Sequence, residues 1–153
     1  MDNKDINLKE KLKQALTSTA RAISDDYKIE KDIDQNKKKI DYFEINNLNS
    51  KNDFIKARAE YDTLALKMKF SDNKIYKKNL PSNSTCKSLY SIAEKIRYES
   101  LGIQMLKGIE KNIKENYNQT ISLKRKDQLK TKEDVSIVEA FELYMLKNFH
   151  NIK

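Results

Sequence analysis

Apolar residues return every three or four positions in four stretches of the chain, the spacing of one face of an α-helix. Leu8, Leu12, Ala15, Leu16, Thr19, Ala22 and Ile23 form the first face, with Asp5 placed to cap it and Ser24-Asp25-Asp26 ending it. The period then changes to two. Tyr27, Ile29 and Ile33, and beyond the polar Asp34-Gln35-Asn36-Lys37 also Ile40 and Tyr42, predict a short β-hairpin between Tyr27 and Ile45. Asn46 to Ser50 reads as a loop, and Ser50 with Asp53 three residues later is a near capping box for the second helix. That helix carries Phe54, Ala57, Tyr61, Leu64, Ala65 and Met68 and closes near Asp72-Asn73.

Ile75-Tyr76 to Leu80-Pro81 reads as an extended connector. Ser82-Asn83-Ser84-Thr85 then supplies several N-cap candidates for the longest pattern: Cys86, Leu89, Ile92, Ala93, Ile96, Leu101, Ile103, Leu106, Ile109 and Ile113. Gly102 and Gly108 fall inside it, each costing a helix about 1 kcal/mol relative to Ala, so they predict a kink, a break or a close backbone approach. Asn116 to Lys130 is polar. Thr131 and Asp134 then resemble a second near capping box before a last helix bearing Val135, Val138, Phe141, Glu142, Met145 and Phe149.

Composition narrows the picture. A chain of 153 residues with 38% hydrophobic residues fits one domain, and two Gly with one Pro are too few turns for a protein of many short strands. The expected fold is therefore mainly α, a single small helical domain over residues 1–153 with a possible short hairpin near 27–45. No apolar run approaches the ~18 residues of a membrane span, and Met1-Asp2-Asn3-Lys4-Asp5 is too polar for a secretory signal, which predicts a cytoplasmic protein. No repeat of fixed period is present.

Cys86 and His150 are the only cysteine and histidine, so counting alone removes an intrachain disulfide, a Cys/His zinc cluster and a two-histidine metal site. A histidine-dependent triad would have to use His150, near a terminus where chains commonly fray. Neither glycine follows a strand, so no phosphate-binding glycine loop exists. Asp134-Val135-Ser136-Ile137-Val138 matches half of the D-x-S-x-S metal-adhesion signature, but it opens a helix and reads as a helix start. Cys86 lies on the apolar stripe and reads as a buried structural thiol.

The formal charge of +8 permits an acidic protein, an anionic membrane or nucleic acid as partner, or reflects compositional drift toward Lys, Asn and Ile. Lys37-Lys38-Lys39, Lys77-Lys78 and Lys124-Arg125-Lys126 are assigned to turns or loops, and the tyrosines mainly to core or hairpin positions. Glu94, Arg97 and Glu99 stand out. Glu94 and Arg97 are an i,i+3 pair, while Glu99 lies across the helix, and a surface pair contributes only about 0.2–0.5 kcal/mol.

Taken together, Ala15 to Ile23, Arg58-x-x-x-Asp62-x-x-Ala65-Leu66, Leu80-Pro81 and Glu94-x-x-Arg97-x-Glu99-x-x-Gly102 followed by Gly108 resemble the N-terminal region of the CobT subunit of aerobic, ATP-dependent cobaltochelatase. The resemblance runs from about Leu12 to Phe149 and is most specific between Glu94 and Gly108. Between Tyr27 and Asn52 little matches. It implies an accessory subunit, or a truncated piece of one, acting with an AAA+ ATPase and a large chelating subunit to insert cobalt into hydrogenobyrinic acid a,c-diamide during cobalamin synthesis. ATP, magnesium and cobalt would serve the complex, and this chain would bind none of them. The family's acidic linker and C-terminal von Willebrand factor A domain have no counterpart in these residues, so a separate von Willebrand chain is a further expected partner.

The resemblance also marks Arg58, Asp62 and Gly108 as family-matching positions and Glu94, Arg97, Glu99 and Gly102 as a candidate partner interface. An intramolecular tie competes with that interface, because Arg97 could pair with a carboxylate from the helix around Arg58 and Asp62. For the whole protein, the alternatives are a basic helical adaptor, a nucleic-acid-binding domain or an inactive gene remnant.

Overall fold

A computed structural model of the chain describes residues 3–25, 50–127 and 135–152, with side chains placed from residue 8 and, in the middle segment, up to residue 124. Six helices lie among these residues: α1 (Asn3–Ser24), α2 (Lys51–Phe70), α3 (Asn73–Lys78), α4 (Ser84–Met105), α5 (Lys107–Asp127) and α6 (Ile137–His150). The fold is mainly α, as the helical periods predict. The hairpin expected between Tyr27 and Ile45 and the Lys37-Lys38-Lys39 run lie outside the described residues, as does the Thr131 to Asp134 box.

Local chemistry explains most helix ends. Ser50 and Asp53 form the capping box at the start of α2, the Ser50 side chain accepting from the Asp53 N–H while Asp53 accepts from the Ser50 N–H at 3.0 Å. Asn83 caps α4 by accepting from the Cys86 N–H at 3.1 Å. The first helix begins at Asn3, so Asp5 sits inside it rather than capping it. The segment expected to be an extended connector is instead α3, because the Asp72 carboxylate accepts from the N–H groups of Lys74 and Ile75 and starts a turn there.

The longest apolar pattern is two helices. Leu106 alone is extended (φ −138°, ψ 111°); its N–H still reaches the Gly102 carbonyl at 3.0 Å, while its own carbonyl accepts from Ile109 and Glu110. One residue therefore ends α4 and starts α5. The polar stretch from Asn116 proves helical as far as Asp127, which places Lys124-Arg125-Lys126 on a helix end instead of in a loop, and Lys77-Lys78 likewise close α3.

Helix α2 is the hub, packed against α1, α4 and α5, while α6 packs on α4. Its buried positions Ile55, Ala59, Asp62 and Leu66, with Tyr61 and Ala65 beside them, make a stripe wide enough to face several neighbours. Leu16, Ala20 and Ile23 come in from α1, Ile96 and Tyr98 from α4, Ile109, Ile113, Tyr117 and Ile121 from α5, and Leu146 from α6. Within the predicted faces some positions rotate outward: Leu8, Phe54 and Phe149 are exposed.

The C-terminal end is packed down. Asn151 adopts the left-handed conformation (φ 53°), which Asn tolerates better than most residues, and the Ile152 N–H turns back to the Leu146 carbonyl. Ile152 is thereby buried, and His150 with it. The fraying expected at His150 does not occur.

Candidate functional site

Glu99 lies on the same face of α4 as Ile92, Ile96 and Ile103, spaced by threes and fours, so the packing of that face carries a carboxylate indoors. It is 1% exposed. Thr63 of α2 donates its hydroxyl to one carboxylate oxygen at 2.8 Å, and Tyr117 of α5 donates to the other at 2.9 Å. His150 of α6 brings Nδ1 to 3.9 Å from that second oxygen and tilts its ring against Tyr117. One side chain of α4 thus meets three other helices.

The electrostatics follow from exclusion of water. Burial pushes the Glu99 carboxyl up, against the pull of Lys95 and its two hydroxyl donors. The Tyr117 phenol is also pushed up, by burial and then by the neighbouring Glu99. Burial pulls His150 down to about 4, so near neutrality its imidazole is uncharged and its approach to Glu99 is not an ion pair. Both His150 ring nitrogens are buried, and the backbone of Ile96 is the one group that pulls against this desolvation.

Asp62 is a second buried carboxylate, one residue from Thr63 on α2. Asn112 of α5 donates to it at 2.7 Å, and Arg58 lies one turn back at 3.7 Å. Burial still raises its pKa, because those two partners offset only part of the desolvation. Beside the Glu99 network a cleft of about 210 Å³ opens over Tyr117, where the Lys95 ammonium stands 5.1 Å from the ring centroid. Its other lysines are matched, Lys56 by Glu60 at 3.9 Å and Lys124 by Glu139 at 3.3 Å. No group of three or more His, Cys, Asp or Glu side chains suited to a metal ion occurs among the described residues. Chemically, the arrangement holds helices together through buried polar contacts.

The family model for cobalamin biosynthesis protein CobT matches residues 7–148. The chain belongs to the CobT family. No curated protein and no solved structure matches it. The matched region takes in all of α2 to α5 and most of α1 and α6, and it begins slightly before the Leu12 to Phe149 stretch that carries the resemblance in the sequence.

Within this CobT domain the candidate interface residues separate. Arg97 grips Glu94 with two hydrogen bonds of 2.7 and 2.8 Å, then passes an Nη2 hydrogen to the Phe70 carbonyl at the end of α2. Ser71 donates to the same Glu94 at 2.7 Å. The hydrogen bond from Arg97 holds the Glu94 carboxyl below the usual range, and Glu94 in turn raises Arg97. The pair therefore ties α4 to the C-terminal turn of α2, leaving Arg97 48% exposed on its outer side. Glu99 points the other way, into the core.

Gly102 is also internal. A Cβ there would come within 2.9 Å of Leu66 Cγ and closer still to both of its methyls, so α2 and α4 touch at this point because Gly102 has no side chain. Gly108 differs: it is exposed, and a Cβ would meet nothing, so its place is only the first turn after the break. Arg58 and Asp62 form the i,i+4 pair described above.

Other expectations are corrected. Cys86 is exposed rather than buried, since the first turn of α4 lies clear of the core. In the Asp134 to Val138 segment, Ser136 caps α6 in a capping box with Glu139, which is the structural role its helical context predicts. Thr63, Asn112, Tyr117 and His150 escape a reading of the sequence, although Ile109, Ile113, Tyr117 and Ile121 continue a four-residue period and His150 stands four residues after Leu146.

Proposed function

We propose that this CobT domain is an accessory part of a cobaltochelatase, positioning an AAA+ ATPase and a large chelating subunit that together insert cobalt into hydrogenobyrinic acid a,c-diamide. The observation that carries the reading is the CobT match across residues 7–148. The geometry agrees with a supporting part: within Glu94 to Gly108, the stretch that most resembles CobT, residues Glu94, Arg97, Glu99 and Gly102 join α4 to α2, α5 and α6 and so keep one outer surface in register. Cobalt is the cargo of the reaction, while ATP and magnesium belong to the ATPase. The work would take place in the cytoplasm; among the described residues no helix is long and apolar enough to cross a membrane.

The test is reconstitution. The tagged chain is mixed with the AAA+ ATPase and the large chelating subunit, and ATP-dependent cobalt insertion is followed with and without it. The expected result is retention of the ATPase on the tagged chain and faster insertion in its presence. Absence of both retention and stimulation would refute the proposal, and tight stoichiometric binding of ATP or Co²⁺ to the chain alone would refute the accessory role.

A further inference from the structure

From Asn73 to Ala93 the chain carries Lys74, Lys77, Lys78 and Lys87 but no carboxylate, the longest acid-free stretch of the sequence. These residues fold into α3 and the start of α4, a corner of the molecule. The adjoining Asp72 is occupied in capping α3. Some lysines elsewhere find partners, as Lys69 does with Asp25, Lys114 with Glu110 and Lys124 with Glu139; the four lysines of this corner belong to no such pair among the described residues, and the absence of any carboxylate from Asn73 to Ala93 leaves their charge locally unbalanced.

The same corner exposes apolar groups. Helix α3 has no buried residue, so its side chains contribute nothing to the core. Ile75 is 60% exposed and Leu80 36%. What fixes α3 is lateral: the Tyr76 ring stacks on Tyr90 of α4 at 5.1 Å, and its hydroxyl shares a hydrogen bond of 2.7 Å with Ser91. A fixed surface with unmatched positive charge around aliphatic side chains has the chemistry of a protein-docking site.

We infer that the α3 corner, with Lys74, Lys77, Lys78 and Lys87 around Ile75 and Leu80, docks an acidic, amphipathic segment of a partner protein. Charge complementarity names the acidic residues of that segment, and Ile75 and Leu80 call for apolar anchors between them. Nucleic acid fits less well. Tyr76 and Tyr90 already stack on each other, the segment has no Arg for bidentate phosphate contact, and aliphatic side chains offer bases no platform. This inference stands apart from the cobalt reading, since any acidic partner would satisfy it.

Fluorescence anisotropy with the full chain tests it, using four labelled probes: an amphipathic peptide of Glu and Asp with Leu and Phe at helical spacing, poly-Glu of equal length, single-stranded RNA, and vesicles of phosphatidylglycerol in phosphatidylcholine. Saturable binding of the amphipathic peptide is expected. The variant K74E/K77E/K78E/K87E should weaken it at least about tenfold, as loss of a complementary charged surface does, with K107E/K111E on α5 leaving it unchanged. Joining Ile75→Ser to Leu80→Ser should weaken the amphipathic peptide but not poly-Glu. Melting curves establish that each variant is folded, and Lys→Gln at the four positions carries the test if the Glu variant is not. No saturable peptide binding, an equal loss in the α5 control, indifference to the Ile75 and Leu80 changes, or RNA or vesicles held as tightly through the same lysines would each overturn the inference.

Discussion

Glu99 and His150 touch, yet their titrations pull stability in opposite directions. Glu99 is raised above its ordinary 4.5, so the folded state holds its proton more tightly than the unfolded state does. Its contribution is full below pH 4.5 and is lost as pH rises through the folded value. His150 is lowered from 6.5 to about 4, so its contribution is full above pH 6.5 and is lost as pH falls through about 4. Glu99→Gln should therefore gain stability relative to the parent as pH climbs above 4.5. His150→Leu should flatten the acid loss between 6.5 and 4. Urea unfolding at a series of pH values reads both, and differences independent of pH would contradict the assignment. The two glycines give a second contrast at this scale. Gly102→Ala presses on the buried Leu66 and should destabilise by about 1–3 kcal/mol, as overpacking does. Gly108→Ala enters open space and should be neutral or stabilising by up to about 1 kcal/mol through helix propensity.

Between elements, the tie at Arg97 decides how α4 meets the end of α2. Arg97→Ala removes the donor to the Phe70 carbonyl and frees Glu94, and because half of the side chain faces water the expected loss is about 1 kcal/mol, lowering the melting temperature by about 2–4 °C. Arg97→Lys should not restore it, since an ammonium lacks the planar fork that reaches Glu94 and Phe70 together. Unchanged melting with weakened retention of the ATPase would instead make Arg97 an interface residue. Most of the long helices, the Ser50 box and the interruption near Gly102 were legible in the sequence, because apolar period, capping side chains and helix penalties are local properties, whereas α5 beyond Asn116 was too polar to show its period. The short α3 was not: Asp72 supplies its cap, but a single turn has no period to detect. Nor was the burial of Glu99. Its position on the Ile92, Ile96 and Ile103 stripe was readable, while Thr63, Tyr117 and His150 meet it only when α2, α5 and α6 assemble, at sequence separations that no local pattern spans. Tyr117 and His150 continued visible stripes, but the first stood in a stretch too polar to look helical and the second near a terminus.

Across the whole molecule, residues from α1, α2, α4, α5, α6 and the C-terminal Ile152 share one buried cluster. Such a body should unfold in a single transition, and damage at its last buried residue should be felt throughout. Ile152→Ala is expected to cost about 2–5 kcal/mol, the range for an Ile reduced to Ala in a packed site. Calorimetry and urea titration should show the midpoint falling with an unchanged denaturant slope. A separate early transition for α6 would mean that the helix docks as an independent unit. The left-handed turn at Asn151 also governs what can be attached to this end. A fluorophore or spin label carried at the exposed Phe149 position stands between the buried Leu146 and His150 on a helix whose end is pinned by Ile152, so it should rotate with the protein rather than swing on a tether, and distances measured from it would report the orientation of the body within a larger assembly.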